Sequence, residues 1–298
     1  MPNKKCNQSH STTVTSQGQG MSKFLGQGAF GKVFKERIGG VTCAVKRIKN
    51  YDELAMKEVV TLMQLNCYYI IKLRGFFMAD SDRQLCIIME FADRGTLGDY
   101  VRAEAWKTHT VCFKEHNIWR GLHHLALALS YLHNLKPRPI LHRDLKPDNV
   151  LGVSHRDGGF DWKLADFGLA TLLSENAQGG FYTSQVAGTP SYMAPEVWKD
   201  YTSYSFGADL WSLGCVLVFR CNNGRHLFDK GEDVVSWRGA RRSTVAPSHH
   251  TTGSSYSSRL VGMVARLLNP DPKLRPSAED VVAECTLDRM SPPQRGTF

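Results

Sequence analysis

The sequence predicts an α+β protein, with strands in its first third and helices in most of the rest. Three observations carry this. Gly39-Gly40 separates two β-branched runs, 32–38 and 41–48, which is a hairpin signature. Residues 51–65 place Leu54, Glu58, Leu62 and Leu65 at helical spacing, on one face. Ile118, Leu122, Leu125, Leu129 and Leu132 make a second apolar stripe at 4-3-4-3 intervals.

The bulk composition fits such a protein. A chain of 298 residues can build one large domain or two lobes around real cores. Its 42% apolar and 22% charged content is ordinary for a globular protein. A net charge of +9 is read as a solvated basic surface, not as a nucleic-acid footprint. The eight cysteines, at 6, 43, 67, 86, 112, 215, 221 and 285, stand singly. Without a C-x-x-C pair they do not suggest zinc or thioredoxin chemistry. Several, such as Cys43 and Cys215, sit among apolar residues and read as small core hydrophobes in a reducing, intracellular setting, cytoplasmic and/or nuclear. Residues 1–20 are polar and are expected to be a disordered tail, without the apolar core of a signal peptide. The longest apolar stretch, around 213–219, is too short to span a bilayer.

Taken in order, the first element carries Gly26, Gly28 and Gly31 in a G-x-G-x-x-G spacing. That spacing serves either a dinucleotide cradle at a helix mouth or a flap over nucleotide phosphates. A cradle needs a helix after the glycines. Here the hairpin follows, and Gly39-Gly40 would cost a helix about 2 kcal/mol relative to alanine. The flap reading therefore stands: backbone N–H groups without intervening Cβ atoms can close on phosphate oxygens. On the next strand, alternation puts Thr42, Ala44, Lys46 and Ile48 on one face. A lysine on a strand is usually a surface residue. Glu58 changes that weighting, because a carboxylate within an apolar helical stripe needs a partner, and Lys46 is the nearest candidate. Residues 85–92 read as a further strand running into a connector.

Beyond the helix around 117–132, Pro137 and Pro139 forbid more helix. His123 and His124 are adjacent, so they face different ways and do not make a metal site. A polar loop with apolar anchors follows, Ile140-Leu141-His142-Arg143-Asp144-Leu145-Lys146-Pro147-Asp148-Asn149. Then come Asp166-Phe167-Gly168 and, later, Gly188-Thr189-Pro190-Ser191-Tyr192-Met193-Ala194-Pro195-Glu196. The glycine flap, Cys43-Ala44-Val45-Lys46, H-R-D-L-x-x-x-N and D-F-G occur in one order along one chain. Together they resemble the eukaryotic-type serine/threonine protein kinase catalytic domain. The resemblance runs from about residue 22 to about 286.

That resemblance implies a bilobal protein kinase fold over 21–287, with a small lobe at about 21–91 and a larger one at about 93–287. Residues 288–298 would be a short tail. It implies ATP and Mg²⁺ as cofactors and proteins with Ser/Thr acceptors as substrates, with no nucleic acid and no membrane span. Leu25, Gly26, Gln27, Gly28, Ala29, Phe30 and Gly31 would form the flap. Lys46 would hold the α- and β-phosphates and pair with Glu58. Val33, Ala44 and Leu151 would sandwich adenine, Met89 would guard the back of its pocket, and the backbone of Glu90 and Ala92 would hydrogen-bond its edge. Asp144 would orient the acceptor hydroxyl and take its proton, Lys146 would touch the γ-phosphate, and Asn149 and Asp166 would be oxygen ligands for Mg²⁺. Leu62, Leu73, His142 and Phe167 match an apolar stack of this family, so His142 is expected to pack and not to act as a base.

The loop Asp144–Asn149 and the segment 188–196 resemble the Ser/Thr type, which implies that Thr189 hydrogen-bonds toward Asp144 and Lys146. Some relatives read a basic residue before the target with an acid where this chain has Thr96. With Thr96 in that place strong basic selectivity is not expected, although Asp148 could still attract such a residue. Arg143 beside the catalytic acid suggests that phosphate on Thr183 or Ser184, added by an upstream kinase or by the enzyme itself, orders the 166–196 segment. Asp209 is expected to brace the catalytic loop, Arg275 to pair with Glu196, and Ser277 to cap the last helix. The basic stretch 237–243 and the loop-like 249–255 fit the resemblance less well and are expected to be an exposed, variable loop. A kinase-shaped scaffold without turnover is the alternative, and the presence of Lys46, Glu58, Asp144, Asn149 and Asp166 weighs against it.

Overall fold

A computed structural model of the chain describes residues 22–28, 31–79, 83–108, 113–175, 181–182, 187–199, 205–228, 233–234, 236–237 and 256–290. Ala29, Phe30, Thr183, Ser184 and most of 229–255 therefore lie outside the described residues. The described chain falls into two compact units, passing between them at Val59/Val60, Lys72/Leu73 and Phe91/Ala92.

The first unit is built on a five-stranded antiparallel sheet: β1 (Lys23–Gly28), β2 (Gly31–Ile38), β3 (Val41–Lys49), β4 (Leu73–Ala79) and β5 (Gln84–Glu90), in the order β1-β2-β3-β5-β4. Gly39 and Gly40 have φ of 56° and 80°, as a tight turn with two left-handed residues requires. β5 lies between β3 and β4, and Leu85, Cys86, Ile87 and Ile88 are all buried. A central strand covered on both faces reads as a continuous apolar run, not as an alternation. Gly31 is fixed by crowding, since a Cβ there would stand 2.5 Å from the Arg47 carbonyl oxygen. An added Cβ at Gly26 or Gly28 meets nothing within 4 Å.

Helix α1 (Glu53–Gln64) buries Glu58, Val59 and Leu62. Leu54, expected on the buried stripe, is 40% exposed. It sits in the first turn, where Asp52 begins the helix by accepting the Ala55 N–H at 3.0 Å.

The second unit is mainly helical: α2 (Leu97–Thr108), α3 (Glu115–His133), α4 (Pro195–Lys199), α5 (Phe206–Cys221), α6 (Ser258–Leu267) and α7 (Ala278–Met290). Short strands pair within it, β6 (Ile140–Leu141) with β9 (Thr171–Leu172), β7 (Val150–Ser154) with β8 (Phe160–Leu164), and β10 (Ser174–Glu175) with β11 (Phe181–Tyr182). α5 is buried along nearly its whole length, as a helix apolar all round must be. Its Trp211 stacks on Phe228 at 5.9 Å, and Trp237 meets both rings edge-on while donating to the Leu268 carbonyl at 3.0 Å. α7 begins with a reciprocal cap. Ser277 Oγ accepts the Asp280 N–H at 3.1 Å, and Asp280 Oδ2 accepts the Ser277 N–H at 2.9 Å. Arg275 makes the expected fork with Glu196, at 2.6 and 2.7 Å.

One buried cation was not expected. Arg220 of α5 lies between the rings of Phe113 and Trp162, at 5.5 and 5.9 Å, and burial pulls its pKa down to about 10. Gly121 makes the room: a Cβ there would collide with the guanidinium. Among the described residues no helix is long and apolar enough to cross a membrane.

Candidate active site

Two groups of the expected residues are brought together, one in each unit. In the first, Lys46 Nζ donates to both oxygens of Glu58, at 2.9 and 2.8 Å. Both residues are buried, at 5% and 2% exposure. Two charges withdrawn from water hold each other, and removing either would strand the other. The sheet register sets Val33 opposite Lys46 and Ala44 opposite Met89. Directly opposed residues share a face, and Ala44 and Lys46 are two apart on β3. Val33, Ala44, Lys46 and Met89 thus line one face of the sheet.

The second group is built on the loop between β6 and β7. Asp144 is its centre and is 7% exposed. Its Oδ1 accepts the Thr189 hydroxyl at 2.7 Å, and its Oδ2 accepts Lys146 Nζ at 2.8 Å and Asn149 Nδ2 at 3.0 Å. Lys146 also donates to Thr189 Oγ1 at 2.8 Å. Asn149 Nδ2 donates again to the Asp144 carbonyl at 2.8 Å, so the amide is oriented and its oxygen is left for another partner. The Ala165 N–H donates to the Asn149 carbonyl at 2.9 Å, which sets Asp166 next to Asn149. Arg143 and Asp166 both have positive φ, 66° and 62°. Strained non-glycine backbone of this kind persists where surrounding structure over-determines it.

The surroundings do so visibly. Asp209 Oδ2 accepts the His142 N–H at 3.0 Å, and Oδ1 accepts the Arg143 N–H at 2.9 Å. His133 Nε2 lies 2.9 Å from Oδ2. Burial pushes the Asp209 carboxyl up, but these hydrogen bonds and the two imidazoles outweigh it and hold the group below the ordinary carboxylate range. His142 is fully buried. Its Nδ1 accepts the Asp144 N–H at 3.3 Å, and its Nε2 lies 3.1 Å from the Ala165 carbonyl. With Nδ1 accepting, Nε2 carries the proton and donates. The ring meets Phe167 edge-on at 5.1 Å. It packs, as expected, and it also ties the Asp144 backbone to the residue before Asp166. Sequence reasoning missed that tie, as it did the part played by His133. Gly188 was missed as well: its φ is 124°, and a Cβ would stand 2.5 Å from the Arg143 carbonyl oxygen. This close approach brings Thr189 to Asp144.

The donor set suits a hard cation. Asp166 would offer a carboxylate and Asn149 an amide oxygen, the hard oxygen donors that Mg²⁺ prefers. Leu151 is half-buried on β7. Arg143 Nε donates to the Leu169 carbonyl at 2.8 Å, while Thr183 and Ser184 fall outside the described residues.

A sheet with a buried lysine–glutamate pair and a helical unit with this acid–amide loop are the two parts that the resemblance to protein kinases led one to expect. A family model described as "Protein kinase domain" matches residues 20–285. The chain belongs to the protein kinase family, whose members use ATP and a divalent metal. It is similar to "Probable serine/threonine-protein kinase nek3" of Dictyostelium discoideum, 32% identical over 269 residues that cover 87% of this chain and 22% of that protein. It is also similar to "Serine/threonine-protein kinase Nek3" of Mus musculus, 30% identical over 91% of this chain and 50% of that protein. "Serine/threonine-protein kinase Nek6" of Oryza sativa subsp. japonica is 30% identical over 87% of this chain and 46% of its own length. The chain thus spans half or less of each of these relatives.

Proposed function

We propose that the chain transfers the γ-phosphate of ATP to serine or threonine hydroxyls of protein substrates. One observation carries the reading: Asp144 is held in a single geometry by Thr189, Lys146 and Asn149, so an acceptor hydroxyl meets a fixed base. The names of the relatives support the Ser/Thr class.

Phosphoryl transfer is mostly positioning and charge neutralisation. Lys46, itself steadied by Glu58, would hold the α- and β-phosphates, and Val33, Ala44 and Met89 would offer an apolar face to adenine. Asn149 and Asp166 would hold Mg²⁺, which when bound offsets the charge that builds on the transferred group. Asp144 takes the hydroxyl proton as the new O–P bond forms and the bond to ADP breaks. Lys146 steadies the γ-phosphate oxygens. Thr189 narrows the site around a short side chain. Phosphate on Thr183 or Ser184 is proposed to order the 166–196 segment through Arg143, whose Nε donates to the Leu169 carbonyl.

The test is transfer of radiolabelled γ-phosphate to a generic protein substrate, comparing wild type, Asp166→Ala and Thr183→Ala/Ser184→Ala. Wild type transfers label to serine or threonine, Asp166→Ala does not, and the double alanine variant is slower. Equal labelling by wild type and Asp166→Ala, or none by either, would refute turnover at this site. An unchanged rate in the double variant would refute the regulatory part alone.

A further inference from the structure

Arg102 stands on α2 between two carboxylates. Its Nη2 lies 3.1 Å from Asp99 Oδ1 and 3.7 Å from Asp148 Oδ1. Asp99 is already committed: its Oδ2 accepts the Thr96 hydroxyl at 2.9 Å, and its N–H is capped by the same hydroxyl at 3.0 Å. Asp148 is not committed in this way. It sits in the 3₁₀ turn Pro147–Asn149, next to Asn149 and two residues beyond Lys146, two residues whose side chains both donate to Asp144. Its carboxylate is 58% exposed. An exposed negative charge four residues along the chain from Asp144 would attract arginine or lysine in an incoming peptide.

The fold makes room for Arg102 to reach it. A Cβ on Gly98 would stand 3.0 Å from Arg102 Nη2 and 3.0 Å from Asp148 Oδ1, so a side chain there would press on both members of the pair. Gly224 lies against the arginine stem, a Cβ there meeting Arg102 Cγ at 3.6 Å. A half-exposed pair adds little to stability. Its effect falls on whatever charge next approaches Asp148.

We propose that Arg102 is a specificity-determining residue: it cancels the Asp148 carboxylate, so the enzyme does not select a basic residue beside its acceptor hydroxyl. This rests on the chain being an active Ser/Thr kinase. The test uses the full chain and a peptide series in which a single arginine is walked along both flanks of one serine. Wild type turns over the series evenly. Arg102→Ala favours one or two arginine positions by about fivefold in kcat/KM, the scale of one half-exposed ion pair, and mostly through KM. Arg102→Ala/Asp148→Asn is even again. An even profile for Arg102→Ala, or a wild type that already prefers arginine, overturns the inference while the kinase reading stands. No transfer by wild type to any peptide overturns both.

Discussion

Asp144→Asn lowers kcat about 1,000-fold while leaving the KM for ATP and the unfolding temperature close to wild type. The substitution is nearly isosteric. The network tells which oxygen becomes nitrogen. Oδ2 receives two donors, Lys146 and Asn149, and must stay oxygen. Oδ1 receives only the Thr189 hydroxyl. An amide nitrogen there can donate to Thr189 Oγ1 instead, so the loop keeps its geometry. What is lost is the acceptor for the substrate's proton. Because that interaction is made as the proton moves, kcat and kcat/KM fall together. Steady-state kinetics with thermal unfolding of the same preparations checks it. A parallel loss of stability would mean that Asp144 serves the fold, and an unaltered kcat that it is not the base.

Asp209→Asn costs about 3–5 kcal/mol of stability at neutral pH, as breaking a buried charged network does. The carboxylate accepts two backbone N–H groups and faces His133. An amide cannot accept at both ends, so at least one buried donor is orphaned. The pH dependence identifies the group. The folded Asp209 carboxyl is depressed, so its contribution is present above the unfolded value, near pH 4, and is lost as pH falls through the lower folded value. The gap between wild type and variant therefore narrows below about pH 4. Asp161 and Asp280 are also depressed, but they are common to both proteins and cancel in the difference. Urea unfolding followed by fluorescence, to which the buried Trp162 and Trp211 contribute, measures that gap. A gap that is constant in acid would show that the charge of Asp209 is not what holds the loop.

How far the sequence reached depended on whether a feature was local. The Gly39-Gly40 turn follows from two residues and their φ. The Lys46–Glu58 pair followed from one rule, that a carboxylate on an apolar stripe needs a cation. Contacts such as Thr189 with Asp144, Asp209 with the loop backbone and Arg275 with Glu196 span many residues. They were legible only through the order of motifs in a known family. Other features were hidden because they depend on complementary shape. Nothing in either local sequence says that Gly121 is empty so that Arg220 can enter, or that Gly98 admits Arg102 to Asp148. Trp237 lay in a stretch read as basic loop, yet its ring joins Trp211 and Phe228, since one aromatic among arginines carries no periodicity. Leu54 was misplaced because a spacing rule knows the face of a helix and not where its first turn emerges into water.

The proposed chemistry requires that binding of Mg²⁺-bound ATP depend on both Lys46 and Asp166. Isothermal titration of ATP, with and without Mg²⁺, tests it most directly on wild type, Asp166→Asn and Lys46→Met/Glu58→Gln. The double change avoids stranding a buried carboxylate. Wild type binds ATP more tightly with Mg²⁺, Asp166→Asn loses that Mg²⁺ dependence, and Lys46→Met/Glu58→Gln binds weakly in both conditions. If both variants bind Mg²⁺-ATP as tightly as wild type, the nucleotide is held elsewhere and the account is wrong.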